Sequence, residues 1–145
     1  MKISKEFQNG FLIFLGIAIY FLFMNLVGLS DVFYLRLFNT LFVLYGVNRT
    51  IMMNIHDGEV LLANNAKSAM KTSLIGVFLS IIGLIIFSYL QGGDQYVQSL
   101  SKTFLFVLYP SVMTYSICLL FEGIASTVVV TMLLLLYWNN RLVTD

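Results

Sequence analysis

The residues able to do chemistry in this chain are few, and the most informative are polar side chains set inside long apolar runs: Asn25, Arg36, Ser88 and Glu122. A charge at the centre of a bilayer costs about 2.5 to 3.5 kcal/mol or more, so such groups are paired, solvated or functional. Helix rise gives their depth. Glu122 stands 16 residues before Trp138, roughly 24 Å of helix; Asn25 is 14 residues after Phe11, roughly 21 Å; Ser88 is 15 after Ser73, roughly 22 Å. Arg36 enters from the opposite boundary, four residues after Val32, which in a core about 30 Å thick returns it to the same level. The spacing predicts a polar layer of Asn25, Arg36, Ser88 and Glu122 in the outer third of a helix bundle, with an Arg36–Glu122 ion pair, since a guanidinium grips a carboxylate bidentately and keeps its proton. Such a layer has two uses. It fixes helix register while Arg36 snorkels to the surface, or it floors a small cavity, roofed by residues 104–116, for an ion, a proton or a polar lipid group.

Other chemistry is sparse. His56, Asp57 and Glu59 bring one imidazole and two carboxylates to a segment with a turn signal at Asp57-Gly58, too few ligands at uncontrolled geometry for a metal site, so they read as a polar cytoplasmic turn. The single cysteine, Cys118, lies in an apolar context and reads as a packing residue. No nucleophile with a nearby histidine, glycine-rich phosphate loop or metal-ligand set is legible, so neither an enzyme nor a cofactor is expected.

The elements that must position these residues follow from composition. Of 145 residues, 59% are hydrophobic and only 10% charged, where soluble domains carry roughly a quarter charged. The mean hydropathy is +0.91, and the charges cluster between apolar runs, so the solvent for most of the chain is lipid. A net charge of +1 excludes a strongly basic nucleic-acid binder, and one cysteine excludes a disulfide scaffold. A membrane helix needs about 20 mainly apolar residues, which predicts spans near 11–29, 32–49 and 73–90. The region 103–138 is too long for one crossing. Its division at Tyr109-Pro110-Ser111 predicts an interfacial or re-entrant segment at 104–116 and a fourth span at 117–138. The fold class expected is all-α: one integral membrane domain, a four-helix bundle with that extra segment before its last helix and a cytoplasmic loop at 50–72. The first span is a retained anchor, being longer than a cleavable signal and lacking an A-x-A site.

Lys2, Lys5, Arg49, Lys67, Lys71 and Arg141 fall on one side of this bundle and Arg36 and Lys102 on the other. The positive-inside rule then places both termini in the cytoplasm, in a bacterial inner membrane. Gly76, Ser80 and Gly83, and Gly123, Thr127 and Thr131, form small-residue stripes at helical spacing, and predict that the third and fourth spans pack along them. Together Gly-Leu-Ser-Asp-x-Phe-Tyr-Leu-Arg-Leu at 28–37, Tyr-Gly-Val-Asn-Arg-Thr-Ile at 45–51, Leu-Ser-Ile-Ile-Gly-Leu at 79–84 and Leu-Leu-Phe-Glu-Gly-Ile-Ala-Ser at 119–126 resemble small bacterial four-span membrane proteins of unassigned activity. The resemblance implies the architecture and no chemistry. Two functions compete: a non-enzymatic structural or accessory subunit that assembles with itself or a larger membrane complex, and a small oligomeric channel or transporter with Glu122 as its proton or cation site. The lipid bilayer is a partner in either, and nucleic acid in neither.

Overall fold

The computed structural model describes residues 2–30, 32–100 and 109–144. Among these residues the chain is helical: α1 (Lys5–Val27), α2 (Phe33–Arg36), α3 (Asn39–His56), α4 (Leu62–Leu90), α5 (Asp94–Leu100) and α6 (Val112–Tyr137), followed by a 3-10 turn at Asn139–Arg141. Helices α1, α4 and α6 are long and apolar enough to cross a membrane, and α3 packs against all three.

Local chemistry sets the helix ends. Ser4 caps α1 by accepting from the Phe7 N–H at 3.3 Å, and Gly28, at φ 78°, stops it while the Leu29 N–H turns back to Met24 O at 2.9 Å. Pro110 lacks a backbone donor, and Ser111 beside it accepts from the Thr114 N–H at 3.2 Å. That pair starts α6 and does not bend it. The first free amide of α6, on Val112, donates to Asp94 Oδ1 at 2.9 Å, so the opening residue of α5 caps α6 as well.

Three boundaries differ from the sequence reading. Residues 112–116, expected in an interfacial segment, are the first turns of α6, which therefore begins five residues before the expected 117; residues 104–108 lie outside the described residues. The expected loop at 50–72 shrinks to 57–61, because α3 runs on to His56 and no Gly or Pro interrupts Leu62–Ser73 ahead of the third span. The expected second span at 32–49 is jointed. At Leu37 and Phe38 the backbone tightens into i to i−3 bonds, among them Thr40 N to Leu37 O at 3.1 Å and Leu41 N to Phe38 O at 3.0 Å, and this joint separates α2 from α3.

Packing is closest where glycines let backbones approach. A Cβ on Gly46 would collide with the Ile13 side chain and stand 3.1 Å from Asn9 O, and one on Gly76 would stand 2.7 Å from Ile13 and 3.2 Å from Gly10 O. Ile13 is thus gripped between α3 and α4, and with Val43, Val47, Ile51, Ala69, Val130 and Leu134 it forms one apolar core. A second core, of Val97, Leu100, Val112 and Tyr115, joins α5 to α6 at the opposite end. Helices α4 and α6 do pack together, and Gly123 receives Val77 at 2.5 Å from its would-be Cβ. The two small-residue stripes do not face each other, however: Gly76 and Gly83 are turned to Ile13 and Phe14 of α1. Spacing alone names a close-packing face and leaves open which of three neighbours fills it.

Polar side chains tie the end that carries both termini. Thr50 Oγ1 accepts from Asn9 Nδ2 at 2.9 Å, lies 2.9 Å from Thr72 Oγ1 and reaches Gly46 O at 3.2 Å, all buried between α1, α3 and α4. Asn54 Nδ2 donates to Asn65 Oδ1 at 3.3 Å, and Asn65 Nδ2 donates to Glu59 O and Leu61 O, pinning the 57–61 connection. Lys5 donates to Asn54 Oδ1 and pairs with Asp57, whose carboxyl is held below its ordinary range by the Lys5 hydrogen bond and charge. The C-terminal tail returns to the same place. Leu62 N–H donates to Val143 O at 2.9 Å, Val143 N–H to Val60 O at 2.8 Å, and Trp138 Nε1 to Asn48 Oδ1 at 2.8 Å.

Candidate functional site: a cavity between the four long helices

A half-enclosed cavity of about 520 Å³ lies among α1, α3, α4 and α6. Its lining takes Val43 and Ile17 from the side of the first core and Phe21, Leu84, Tyr115 and Leu119 from the second. On α6 the lining residues Tyr115, Leu119, Glu122, Ser126 and Val129 recur every three or four positions, which is one helix face. On α1 the face is Phe14, Ile17, Ala18, Phe21 and Leu22. The walls are mostly apolar, and the polar groups come from three places: the α2–α3 joint, with Arg36, Asn39 and Thr40, α4, with Ser80, and α6, with Tyr115, Glu122 and Ser126. Leu37, Glu122, Ala125 and Val129 are exposed, so the rim runs between the joint and α6.

The joint is what aims Arg36. Tyr20 Oη donates to Leu35 O at 2.9 Å and pins α2 against α1, and Arg36 Nη1 then donates to Tyr115 Oη at 3.0 Å, with Tyr115 only 3% exposed. The expected Arg36–Glu122 ion pair is not formed. Among the described residues the pairs within 4.0 Å are Lys5–Asp57 and His56–Asp57, and Arg36 reaches Tyr115, one helical heptad before Glu122, in place of Glu122 itself. Below the joint Ser126 Oγ donates to Thr40 Oγ1 at 3.3 Å, and Asn39 Oδ1 is buried with no hydrogen-bond partner among the described residues.

Of the four residues expected in one polar layer, Arg36 and Glu122 line this cavity and Asn25 and Ser88 do not. Asn25 Oδ1 accepts from Tyr96 Oη at 3.4 Å, linking α1 to α5, where burial first and the nearby Tyr115 second push the Tyr96 hydroxyl up to about 12. Ser88 is fully buried near the end of α4, its carbonyl accepting from Gly93 N–H at 2.8 Å and its Oγ without a partner among the described residues. Helix rise gives one expected level for all four, but Gly123, beside Glu122, packs on Val77, eleven residues before Ser88 in α4, so level as well as azimuth divides them. Tyr115, Asn39, Thr40 and Ser126 were missed, although Tyr115 stands seven positions before Glu122 and so shares its face.

The loop cluster behaves as a turn. His56 Nδ1 lies 3.7 Å from Asp57 Oδ1, Glu59 Oε1 accepts from the Leu61 N–H at 3.3 Å, and among the described residues no three His, Cys, Asp or Glu side chains gather to hold a metal. Comparison with protein-family models, curated proteins and solved structures finds no match to the chain, so the cavity's own geometry carries the functional argument.

Proposed function

We propose that the protein is a non-enzymatic multi-pass membrane protein that works by binding, holding an amphipathic molecule from the bilayer in the cavity between its four long helices. The observation that carries this reading is the cavity itself: about 520 Å³, inside the 300 to 1,000 Å³ usual for ligand sites, with apolar walls and a few convergent polar groups. Four crossings suit the chain better than three. Both termini meet at one end through Lys5–Asp57 and the Leu61–Val143 bridge, which favours an even number of traverses with α3 as the fourth. Part of its lower hydropathy comes from Thr50 and Asn54, both turned inward and hydrogen-bonded, so lipid does not meet them, and the exposed Arg49 and His56 lie in the half of α3 nearer the terminal end. The excess of Lys and Arg at the terminal end supports cytoplasmic termini in a bacterial inner membrane.

A channel through one protomer is disfavoured by the core of Ile13, Val47, Ile51, Val130 and Leu134, which fills the bundle between the cavity and the terminal end. A subunit role, with itself or a larger complex, is favoured by a second, shallow groove on the α1–α3 flank lined by Leu15, Ile19, Phe38, Leu41 and Tyr45. Native mass spectrometry of the protein released from lipid discs separates the readings. Wild type is expected to carry one tightly held amphiphile per chain, and Ala18→Trp, which fills the cavity from α1, to lose it with helix content unchanged. Wild type free of any retained amphiphile would overturn the binding reading, and a second polypeptide at fixed stoichiometry would favour the subunit.

A further inference from the structure

We propose that the occupant of this cavity is a lipophilic organic cation, its charge set against Glu122 at the rim and its apolar body among the phenyl rings inside. The proposal rests on the binding reading above and names the ligand class for that site. Arg36 and Tyr115 hold each other at 3.0 Å and take no part in it. What carries it is one carboxylate and the wall beside it. Glu122 is exposed on the cavity lining and makes no hydrogen bond or ion pair among the described residues. Three positions before it, on the same face of α6, Leu119 packs on the second core, as do Phe21 and Leu84 from α1 and α4. Phe14 and Phe87 add two more rings to the lining.

Charge and size select among amphiphiles. A carboxylate accepts hydrogen bonds and attracts cations, and in a low-dielectric setting it opposes an anionic head. A neutral guest would shut the carboxylate against apolar walls with nothing to offset its lost hydration. A small inorganic cation fits no better, because it needs several oxygen ligands, and among the described residues no three His, Cys, Asp or Glu side chains gather. A bulky organic cation needs one counter-charge and spreads its own, so it costs less to take out of water. It also gains along its body from apolar burial and from the attraction of a cation to a phenyl ring. The volume of about 520 Å³ suits one drug-sized molecule. The rim between the α2–α3 joint and α6 opens it sideways, beside Glu122.

The test uses the full chain in detergent and equilibrium dialysis with tetraphenylphosphonium and tetraphenylborate, two ions of one shape and opposite charge. Wild type, Glu122→Gln and Ala18→Trp are compared, with uptake by empty micelles subtracted. Wild type is expected to bind tetraphenylphosphonium saturably and about tenfold more tightly than tetraphenylborate, the effect of one charge-assisted contact. Glu122→Gln, isosteric and at an exposed position, is expected to weaken tetraphenylphosphonium about tenfold and to close that gap. Ala18→Trp is expected to abolish saturable binding of both ions with helix content unchanged. Tetraphenylborate bound by wild type as tightly as tetraphenylphosphonium would overturn the cation class without recourse to any variant. Tetraphenylphosphonium binding unchanged in Glu122→Gln would overturn the role of Glu122. In either case an amphiphile retained by wild type and lost in Ala18→Trp would leave the cavity reading standing. Cation binding indifferent to Ala18→Trp would place the ion outside the cavity and overturn the proposal, and a retained amphiphile equally indifferent would overturn both.

Discussion

At the scale of single residues, some polar side chains form a buried interhelical network near the terminal end and others line the cavity. Thr50 belongs to the first group, serving Asn9, Thr72 and Gly46 at once in a fully buried position. Thr50→Val keeps the shape and removes the oxygen, which strands Asn9 Nδ2 and Thr72. An unsatisfied buried donor costs about 1 to 3 kcal/mol, while hydrogen bonds in membrane bundles average only about 0.6 kcal/mol because the unfolded state finds other partners. The expected loss is therefore about 1 to 2 kcal/mol in unfolding from mixed micelles. Thr127→Val, which removes only a bond to Gly123 O within its own helix, should cost less; equal costs would show that the interhelical network adds nothing. Arg36 and Glu122 belong to the second group. Their type was legible in the sequence, but the partner of Arg36 was not, since Tyr115 and Glu122 share one face of α6 two turns apart.

At the scale of elements, α3 packs against α1, α4 and α6. It is the least apolar of the four long helices, yet its inward face of Val43, Gly46, Val47, Thr50, Ile51 and Asn54 is buried against the others. Lipid tails offer no hydrophobic drive for helices to associate, so this packing depends on close approach and hydrogen bonds. Gly46→Ala tests the first of these directly. The added methyl would collide with Ile13, itself wedged against Gly76, so neither neighbour can yield cheaply. The expected cost is about 1 to 3 kcal/mol, read as a lower midpoint of unfolding. A midpoint unchanged from wild type would mean that α1 and α3 separate freely. The starts of α1 and α6 are set by the local caps Ser4 and Ser111, yet hydropathy put the first span at 11 and the last at 117, because it registers apolar runs and not the capped turns ahead of them. The joint at Leu37 and Phe38 was not readable, having no Gly or Pro to mark it.

At the scale of the whole molecule, the four traverses proposed above would place Asn64 on the side of both termini and Asp94 on the other. Single cysteines at these positions, in a Cys118→Ala background, should be labelled by a membrane-impermeant maleimide from opposite sides of sealed vesicles; labelling from one side would break the topology. The sequence by itself determined that the chain is helical and that it holds long segments apolar enough to cross a membrane. Composition, hydropathy and the rise per residue are one-dimensional quantities, and a sequence states them directly. Only the tertiary structure decided that the glycines of α4 serve α1, that Arg36 turns to Tyr115, and that Asn25 and Ser88 stand apart from Glu122. Those facts depend on the rotation of each helix about its axis, and near-uniformly apolar helices carry little amphipathic signal to fix it. The angle is set instead by backbone contact at Gly46, Gly76 and Gly123 and by the hydrogen bonds of Asn9, Thr50 and Thr72, which join residues far apart in the chain.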